Sequence, residues 1–203
     1  MTFTRPPVLG AVDPTEKVGI YFDPIFAKAW LAEAGYSEGK SFPQLFLVHN
    51  SSELHSETAK AVKTMLKHYL NIDVEVRAFD LERYLKVLKG GPTAPHIFRM
   101  SWCAKQPDAD FWLHEVFHPD KGINWIGWNN HEFAKLVDKA RQISNPVERK
   151  ELYRRAEKIL TEKEAAIVPL YFKNTPFMVK SWVKGWYHKE FGGQHIRNWS
   201  LEN

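Results

Sequence analysis

The sequence has a single cysteine, Cys103, among 203 residues, and it has no long apolar run. One cysteine excludes an internal disulfide bond and a zinc site built from cysteines. A membrane-spanning helix needs about 20 consecutive apolar residues, and no run approaches that length. Residues 1–10 also lack the charged and apolar sections of a signal peptide, so we expect any export signal to lie outside this chain.

The charges give no indication of nucleic-acid binding. The 28 basic residues are set against 24 acidic ones, for a formal net charge of +4, and they are scattered over predicted helix faces. With 44% apolar residues, the chain is long enough to bury a core as one domain or as one domain with an extension. We therefore expect a globular protein with no nucleic-acid partner.

The middle of the chain alternates strand and helix patterns. Residues 42–48 and 72–78 alternate apolar and polar side chains, and an apolar strand follows at residues 97–102. Helical spacing of apolar residues separates these strands, and Asp80 caps the second helix, which Gly90-Gly91-Pro92 ends. A β-α-β-α-β order predicts an α/β fold with a mixed, largely parallel sheet flanked by helices.

Further helices have recognisable caps. Asp23 precedes a helix that begins at Pro24 and ends at Gly35. Asn130 and Asn145 cap two more helices, the second expected to run to about residue 162. A helix is also predicted over residues 111–117, a buried strand over residues 166–172 and a short strand over residues 177–179.

The two ends of the chain differ from this middle part. The first residues are punctuated by Pro6, Pro7, Gly10 and Pro14, which predicts an extended, loosely attached segment. The last residues carry many aromatic side chains without clear periodicity, Trp182, Trp186, Tyr187, Phe191 and Trp199, and these need a surface to pack against. We therefore divide the chain into an extended N-terminal segment, 1–22, an α/β ligand-binding lobe, 23–180, and a C-terminal aromatic segment, 181–203.

The strand-turn-helix pattern of residues 97–113 is the candidate binding site. A strand that ends beside a helix N-terminus brings side chains and free backbone N–H groups to one edge of a sheet, where ligands commonly bind. Trp102, Cys103 and Lys105 are expected on that edge. The alternative is an ordinary strand-to-helix connection that binds nothing, and Cys103 is then a small apolar residue without a catalytic partner.

Residues 114–118 match the zinc-hydrolase pattern H-E-x-x-H, in which two histidines bind the metal and the glutamate acts as general base. Pro119 ends the helix directly after the second histidine, and Lys121 stands where the metzincin extension requires glycine. No third ligand is evident. The favoured interpretation of His114 and His118 is a surface histidine pair on a short helix that binds no metal.

Eight segments of the chain, taken in order, resemble one protein family. They are A-K-A-W-L-A-E-A-G-Y at 27–36, V-H-N-S-S-E at 48–53, N-I-D-V-E-V at 71–76, R-M-S-W-C-A at 99–104, P-D-A-D-F-W-L at 107–113, E-L-Y-R-R-A-E-K-I-L at 151–160, I-V-P-L-Y-F at 167–172 and V-K-G-W at 183–186. The chain resembles the C-terminal portion of the extracellular solute-binding proteins of oligopeptide and dipeptide ABC importers, solute-binding family 5.

The resemblance implies a binding protein and not an enzyme. Such proteins close two lobes on a peptide or other small solute and deliver it to a membrane permease, without a cofactor. It also implies one lobe of a type II periplasmic-binding-protein-like fold, with a missing N-terminal lobe to which residues 181–203 return. The implied location is periplasmic or extracellular, and membrane-associated in the full-length form.

The resemblance assigns site residues by position. Trp102 and Cys103 match positions that line the ligand cleft, and Arg99 and Tyr171 are further ligand-binding candidates. Lys105 departs from the family pattern, because peptide binders have an aspartate there that pairs with the peptide α-amino group.

Two explanations of how the site works with a lysine at position 105 stay open. Asp108 or Asp110 replaces that aspartate, or the ligand is not held by its amino terminus and instead carries an anionic or polyhydroxylic group. Lys105 as a solvated lysine at a loop edge is the plainer alternative. Two other functions also stay open: the sensing lobe of a transcription regulator, and a zinc hydrolase that uses His114 and His118.

Overall fold

A parallel sheet organises the first half of the chain in the computed structural model, which describes residues 2–13, 15–90, 94–189 and 192–202. Two compact units are present, a sheet unit, Tyr21–Cys103, and a helical unit, Met1–Ile20 with Ala104–Asn203. Some residues that predict a turn, a helix end and the aromatic segment lie outside the described residues. They are Pro14, Gly91, Pro92 and Phe191.

The sheet unit has three strands and three helices in alternating order. They are α1 (Pro24–Glu33), β1 (Leu45–Asn50), α2 (Glu53–Leu70), β2 (Val74–Phe79), α3 (Leu81–Leu88) and β3 (Ile97–Phe98). The strand order is β2-β1-β3, and both pairings are parallel. The predicted α/β class and the parallel sheet are confirmed.

Helices cover the two faces of this sheet. The α2 side has a buried core of Leu47, Ala59, Ile72 and Val74. Val48 is also buried, and it points to the opposite face because successive strand residues alternate. On α3, Tyr84 and Leu88 are buried, and this helix contacts both β1 and β2. Right-handed crossovers from β1 to β2 and from β2 back to β3 require this placement.

The predicted helix caps of the sheet unit are confirmed. The Asp23 side chain accepts hydrogen bonds from the N–H groups of Ile25 and Phe26, at 3.0 Å each, and Asp80 accepts one from Arg83 at 2.9 Å. Gly35 follows α1 with φ of +92°, a conformation that side chains with Cβ rarely adopt. On α1, however, Trp30 is exposed although the sequence pattern placed it on the apolar face.

The predicted strand over residues 97–102 is too long. The strand β3 contains two residues, because only Leu47 and Val48 of β1 pair with it. One further backbone bond follows, from the Arg99 N–H to the Val48 carbonyl at 3.2 Å. As β3 pairs with a single neighbour among the described strands, nothing in the ladder holds residues 100–102 extended.

The helical unit packs three helices around one core. They are α4 (Asp110–Phe117), α5 (His131–Gln142) and α6 (Pro146–Lys158), and a π-helical turn, Ile159–Lys163, continues α6 to the expected end. A short antiparallel pair, β4 (Val183–Lys184) and β5 (Ser200–Leu201), follows. The caps predicted at Asn130 and Asn145 are confirmed, since Asn130 accepts from Phe133 N–H and Asn145 from Val147 and Glu148 N–H.

The N-terminal segment is attached more firmly than predicted. Glu157 of α6 is fully buried and accepts hydrogen bonds from the backbone N–H of Phe3 and from the Thr4 hydroxyl, the latter at 2.5 Å. The Thr4 hydroxyl oxygen in turn accepts the Val12 N–H at 3.2 Å. A buried carboxylate needs such donors, so α6 and the segment hold each other.

The strands predicted over residues 166–172 and 177–179 are wrong. In the described residues 166–180 the structure has no strand, and Val168 is 75% and Met178 100% exposed. Apolar, β-branched sequence favours a strand only where a neighbouring strand offers hydrogen bonds and a core offers burial. Neither is present along this stretch.

Glu157 should make the stability depend on pH. Burial raises its pKa from 4.5 to about 7, so the folded chain binds a proton more tightly than the unfolded chain. The free energy of unfolding therefore falls as the pH rises from about 4.5 to about 7, and the stabilising contribution of the Glu157 proton is complete below about pH 4.5. In Glu157→Gln this dependence should disappear, which urea unfolding at several pH values measures.

Glu151→Gln is the matched control for that experiment. Glu151 lies on the same helix, half-exposed, and its hydrogen bond with Arg154 lowers its pKa. This variant should therefore keep the fall in stability with rising pH. An unchanged slope in Glu157→Gln contradicts the prediction.

Candidate functional site

The carboxyl ends of the three parallel strands meet at one edge of the sheet. The strand β1 ends at Asn50, β2 at Phe79 and β3 at Phe98. From β1 the chain goes to β2 on one side of β1 and then returns to β3 on its other side, so the strand order reverses between β1 and β3. Ligands of open α/β sheets bind at such a switch point.

Residues 99–103, the edge segment, leave the sheet at this point. The Arg99 N–H donates to the Val48 carbonyl, and the Arg99 carbonyl accepts a hydrogen bond from the Tyr84 hydroxyl. Arg99 and Trp102 are half-buried, and Cys103 is exposed. The structure thus brings three of the predicted site residues to the carboxyl edge. Their role in ligand binding stays a prediction.

A second group at the same edge was missed by the sequence reasoning. Ser51 bonds to the carbonyl of Phe79 through its backbone N–H, at 2.7 Å, and through its hydroxyl, at 3.0 Å. His55, in the first turn of α2, has Nδ1 at 3.3 Å from the Asn50 carbonyl oxygen. The available signal was the polar run that follows β1 directly, because polar residues at a strand's carboxyl end face the switch point.

The remaining predicted residues lie in the helical unit. Lys105 is exposed, and Tyr171 is 42% exposed in the stretch without strands. Asp108 is engaged: Arg149 binds both of its carboxylate oxygens, with Nη1 at 2.5 Å and Nη2 at 2.9 Å. This bidentate pair uses part of the hydrogen-bonding capacity of the carboxylate.

Asp110 is engaged as well. Its Oδ1 lies 3.3 Å from Nε of Arg141 and 3.5 Å from the hydroxyl of Tyr153. Since Asp108 and Asp110 both have protein cations beside them, the geometry gives no support to either as the replacement for the missing aspartate at position 105.

The two histidines of the H-E-x-x-H pattern meet an aspartate of α5. His114 and His118 are buried, so the predicted surface location is wrong. Ligand atoms of these two and of Asp138 all lie within 4.8 Å of one another. His114 Nε2 is 3.2 Å from one Asp138 oxygen, and His118 Nε2 is 3.4 Å from the other. Asp138 is therefore the third potential ligand that the sequence did not identify.

The protonation of His118 does not fit a metal site. Its Nδ1 accepts the backbone N–H groups of Asp120 and Lys121, each at 3.1 Å, so in the neutral ring the hydrogen is on Nε2. Nε2 then donates toward Asp138 and has no free electron pair for a metal. The cluster is therefore a hydrogen-bonded link between α4 and α5.

Cations complete this cluster. Lys121 Nζ lies 2.8 Å and 2.7 Å from the two Asp138 oxygens, and Arg141 Nη1 lies 3.3 Å from His114 Nε2. Burial acts to raise the pKa of Asp138, but hydrogen bonds from Lys121 and both histidines outweigh it and lower this pKa to about 2. Burial and the charge of Arg141 lower the pKa of His114. Two protein cations, Lys121 and Arg141, therefore already contact the potential metal ligands.

Zinc should therefore not bind here stoichiometrically. After incubation with one equivalent of zinc and dialysis, elemental analysis should find far less than one zinc per chain, because the donor atoms are already used in hydrogen bonds. His114→Ala should leave the zinc content unchanged. Stoichiometric zinc that this substitution removes would show the interpretation to be wrong.

Among the described residues, no helix combines the length and apolar character that crossing a membrane requires.

The chain is similar to known binding proteins. The family model of bacterial extracellular solute-binding proteins, family 5 middle, matches residues 1–124. The periplasmic oligopeptide-binding protein OppA of Salmonella typhimurium is 32% identical over 81% of this chain. The probable deoxycholate-binding periplasmic protein YgiS of Escherichia coli is 32% identical over 78% of it.

Solved structures agree with these sequence similarities. The structure of the Escherichia coli murein tripeptide binding protein MppA superimposes on this chain with a TM-score of 0.75 and 28% sequence identity. The superposition covers 91% of this chain and 36% of the MppA chain. The likeness confirms the predicted lobe of a type II periplasmic-binding-protein-like fold. The chain spans about a third of the length of its relatives, 29% of OppA and of YgiS. It belongs to the bacterial extracellular solute-binding proteins of family 5.

Proposed function

We propose that this chain is the ligand-binding lobe of a solute receptor for an ABC importer and catalyses no reaction. The observation that carries the proposal is the edge segment, which leaves β3 at the switch point of the parallel sheet with Arg99 anchored on both sides. An anchored, irregular segment beside a sheet edge offers backbone groups with which an extended ligand can pair.

The relatives support this role by name. OppA is an oligopeptide-binding protein and MppA a murein tripeptide binding protein, and both OppA and YgiS are named periplasmic. We infer a periplasmic or extracellular location, an ABC permease as partner and a small polar solute or peptide as ligand. Because the chain spans 29% of OppA, a further lobe of the same protein is part of the proposal.

The C-terminal aromatic segment, residues 181–203, is the proposed contact with that lobe. Trp182 and Tyr187 are each 50% exposed, and Leu201 is 75% exposed. Side chains of this size lower the free energy when apolar surface leaves water. The segments 1–22 and 23–180 complete the proposed division, whereas the contacts within this chain alone separate it at residues 20–21 and 103–104.

The ligand-holding groups are proposed as follows. Trp102 offers a flat face to a peptide plane or sugar ring, and Cys103 follows it on the exposed part of the edge segment. Arg99, which follows β3, and His55, in the first turn of α2, are both half-buried and provide positive or hydrogen-bonding groups for an anionic ligand group. Lys105 supplies a cation where the family pattern has an aspartate.

A deoxycholate-like ligand is the second candidate. YgiS, a probable deoxycholate-binding protein, is as similar to this chain as OppA is, at 32% identity. An amphipathic anion has an acid group for Arg99 and an apolar body for Trp102, both in the sheet unit, and it carries no amino group.

Lys105 should select against a free amino terminus. In titrations monitored by amide chemical shifts of residues 99–105, N-acetyl-tri-alanine should bind at least as well as tri-alanine. Lys105→Asp should shift the preference toward tri-alanine by about tenfold, because a carboxylate attracts the ammonium group that lysine repels. Lys135→Asp, an exposed lysine on α5, makes the same charge change elsewhere.

The opposite preference would contradict this prediction. If the wild-type chain favours tri-alanine by about tenfold, and Lys105→Asp changes that preference no more than Lys135→Asp does, then Lys105 does not face the ligand.

The chain by itself should bind its ligand weakly. The proposed second lobe is absent, and half of the enclosing contacts are absent with it, so we expect dissociation constants weaker than about 1 μM for peptides of two to five residues. Isothermal titration calorimetry measures this directly. A submicromolar peptide affinity would contradict the two-lobe proposal.

A further inference from the structure

The edge segment lacks the support that a strand normally receives. Only Ile97 and Phe98 form β3, and the paired positions are Leu47 and Val48 of β1. A segment that pairs with a ligand backbone must hold its carbonyl and N–H groups in place before the ligand arrives, since ordering it during binding lowers affinity. Some contact outside the sheet must therefore position residues 99–103.

The side chain of Tyr84 makes such a contact. Tyr84 lies in the middle of α3, is 1% exposed, and its hydroxyl donates a hydrogen bond to the Arg99 carbonyl. On the other side of the same residue, the Arg99 N–H donates to Val48 at 3.2 Å. Both backbone polar groups of Arg99 are thus bound, one by the sheet and one by the helix.

We propose that Tyr84 is a positioning residue, whose hydroxyl fixes the backbone at the start of the edge segment for ligand binding. The inference rests on the proposed function, in which this segment meets the ligand. Tyr84 itself is buried behind the segment and acts through Arg99.

The chemistry of Tyr84 suits this role. Burial raises its pKa to about 12, with the charge of Arg99 acting in the opposite direction. The hydroxyl therefore stays protonated at neutral pH and can always donate. Phenylalanine has the same ring and would fill the same space, but it leaves the Arg99 carbonyl without its donor. Tyr84→Phe therefore separates the hydrogen bond from the packing.

Amide hydrogen exchange of the ligand-free chain tests whether the Tyr84 hydroxyl fixes the backbone at Arg99. In Tyr84→Phe the Arg99 amide should exchange about tenfold faster than in the wild type, because its bond to Val48 opens more often once the carbonyl is released. The amides that pair β1 with β2 should change by less than about twofold. Tyr153→Phe is the matched control, because Tyr153 is equally buried and its hydroxyl contacts Arg149.

A binding measurement completes the test. With N-acetyl-tri-alanine as the probe, Tyr84→Phe should bind several-fold more weakly than the wild type at a temperature at which both proteins are fully folded. A merely structural hydroxyl would change the melting temperature and leave the affinity of the remaining folded chain unaltered.

Three results overturn the proposal. They are an unchanged Arg99 exchange rate, an equal rise at every amide of the sheet, and an unchanged probe affinity in Tyr84→Phe when the wild type binds. The wild type could also fail to bind the probe while the Arg99 amide exchanges faster in Tyr84→Phe. That result supports the positioning of Arg99 by Tyr84 and shows that the proposed peptide ligand is wrong.

Discussion

The parallel pairing of β1 with β2 and with β3 is the constraint on which the rest of the sheet unit depends. Parallel neighbours cannot be joined by a tight turn, so each connection must cross a face of the sheet, and α2 and α3 are those connections. The same pairing sends every strand's carboxyl end to one edge. The candidate site at Arg99 and Trp102 follows from this geometry.

Carboxyl groups with several hydrogen-bond partners organise the helical unit in a comparable way. Glu157 binds the backbone of the N-terminal segment, and Arg149 binds Asp108 at the start of α4. Glu157 is fully buried and the Asp108 side chain is 20% exposed, and in each case the partners satisfy hydrogen bonds of the carboxyl group, which makes the contact costly to break. Asp108 therefore contributes to the structure, and its role in holding a ligand amino group stays a prediction.

The H-E-x-x-H pattern shows how the surroundings change the meaning of a motif. The histidines and the glutamate of the zinc pattern are present in order, and Asp138 even supplies a third potential ligand, a carboxylate oxygen, nearby. Backbone N–H groups at His118 Nδ1 and the ammonium group of Lys121 at Asp138 turn these atoms into hydrogen-bond partners instead. Protonation and neighbouring charge, which no spacing rule contains, decide between the two outcomes.

By itself, the sequence determined the order of elements, their helix caps at Asp23, Asp80, Asn130 and Asn145, and the parallel sheet, because these depend on local patterns and on chain connectivity. Only the tertiary structure decided that β3 is two residues long, that residues 166–172 form no strand, and that Glu157 holds the N-terminal segment. Strands and buried charges depend on partners distant in sequence, and a local pattern does not contain those partners.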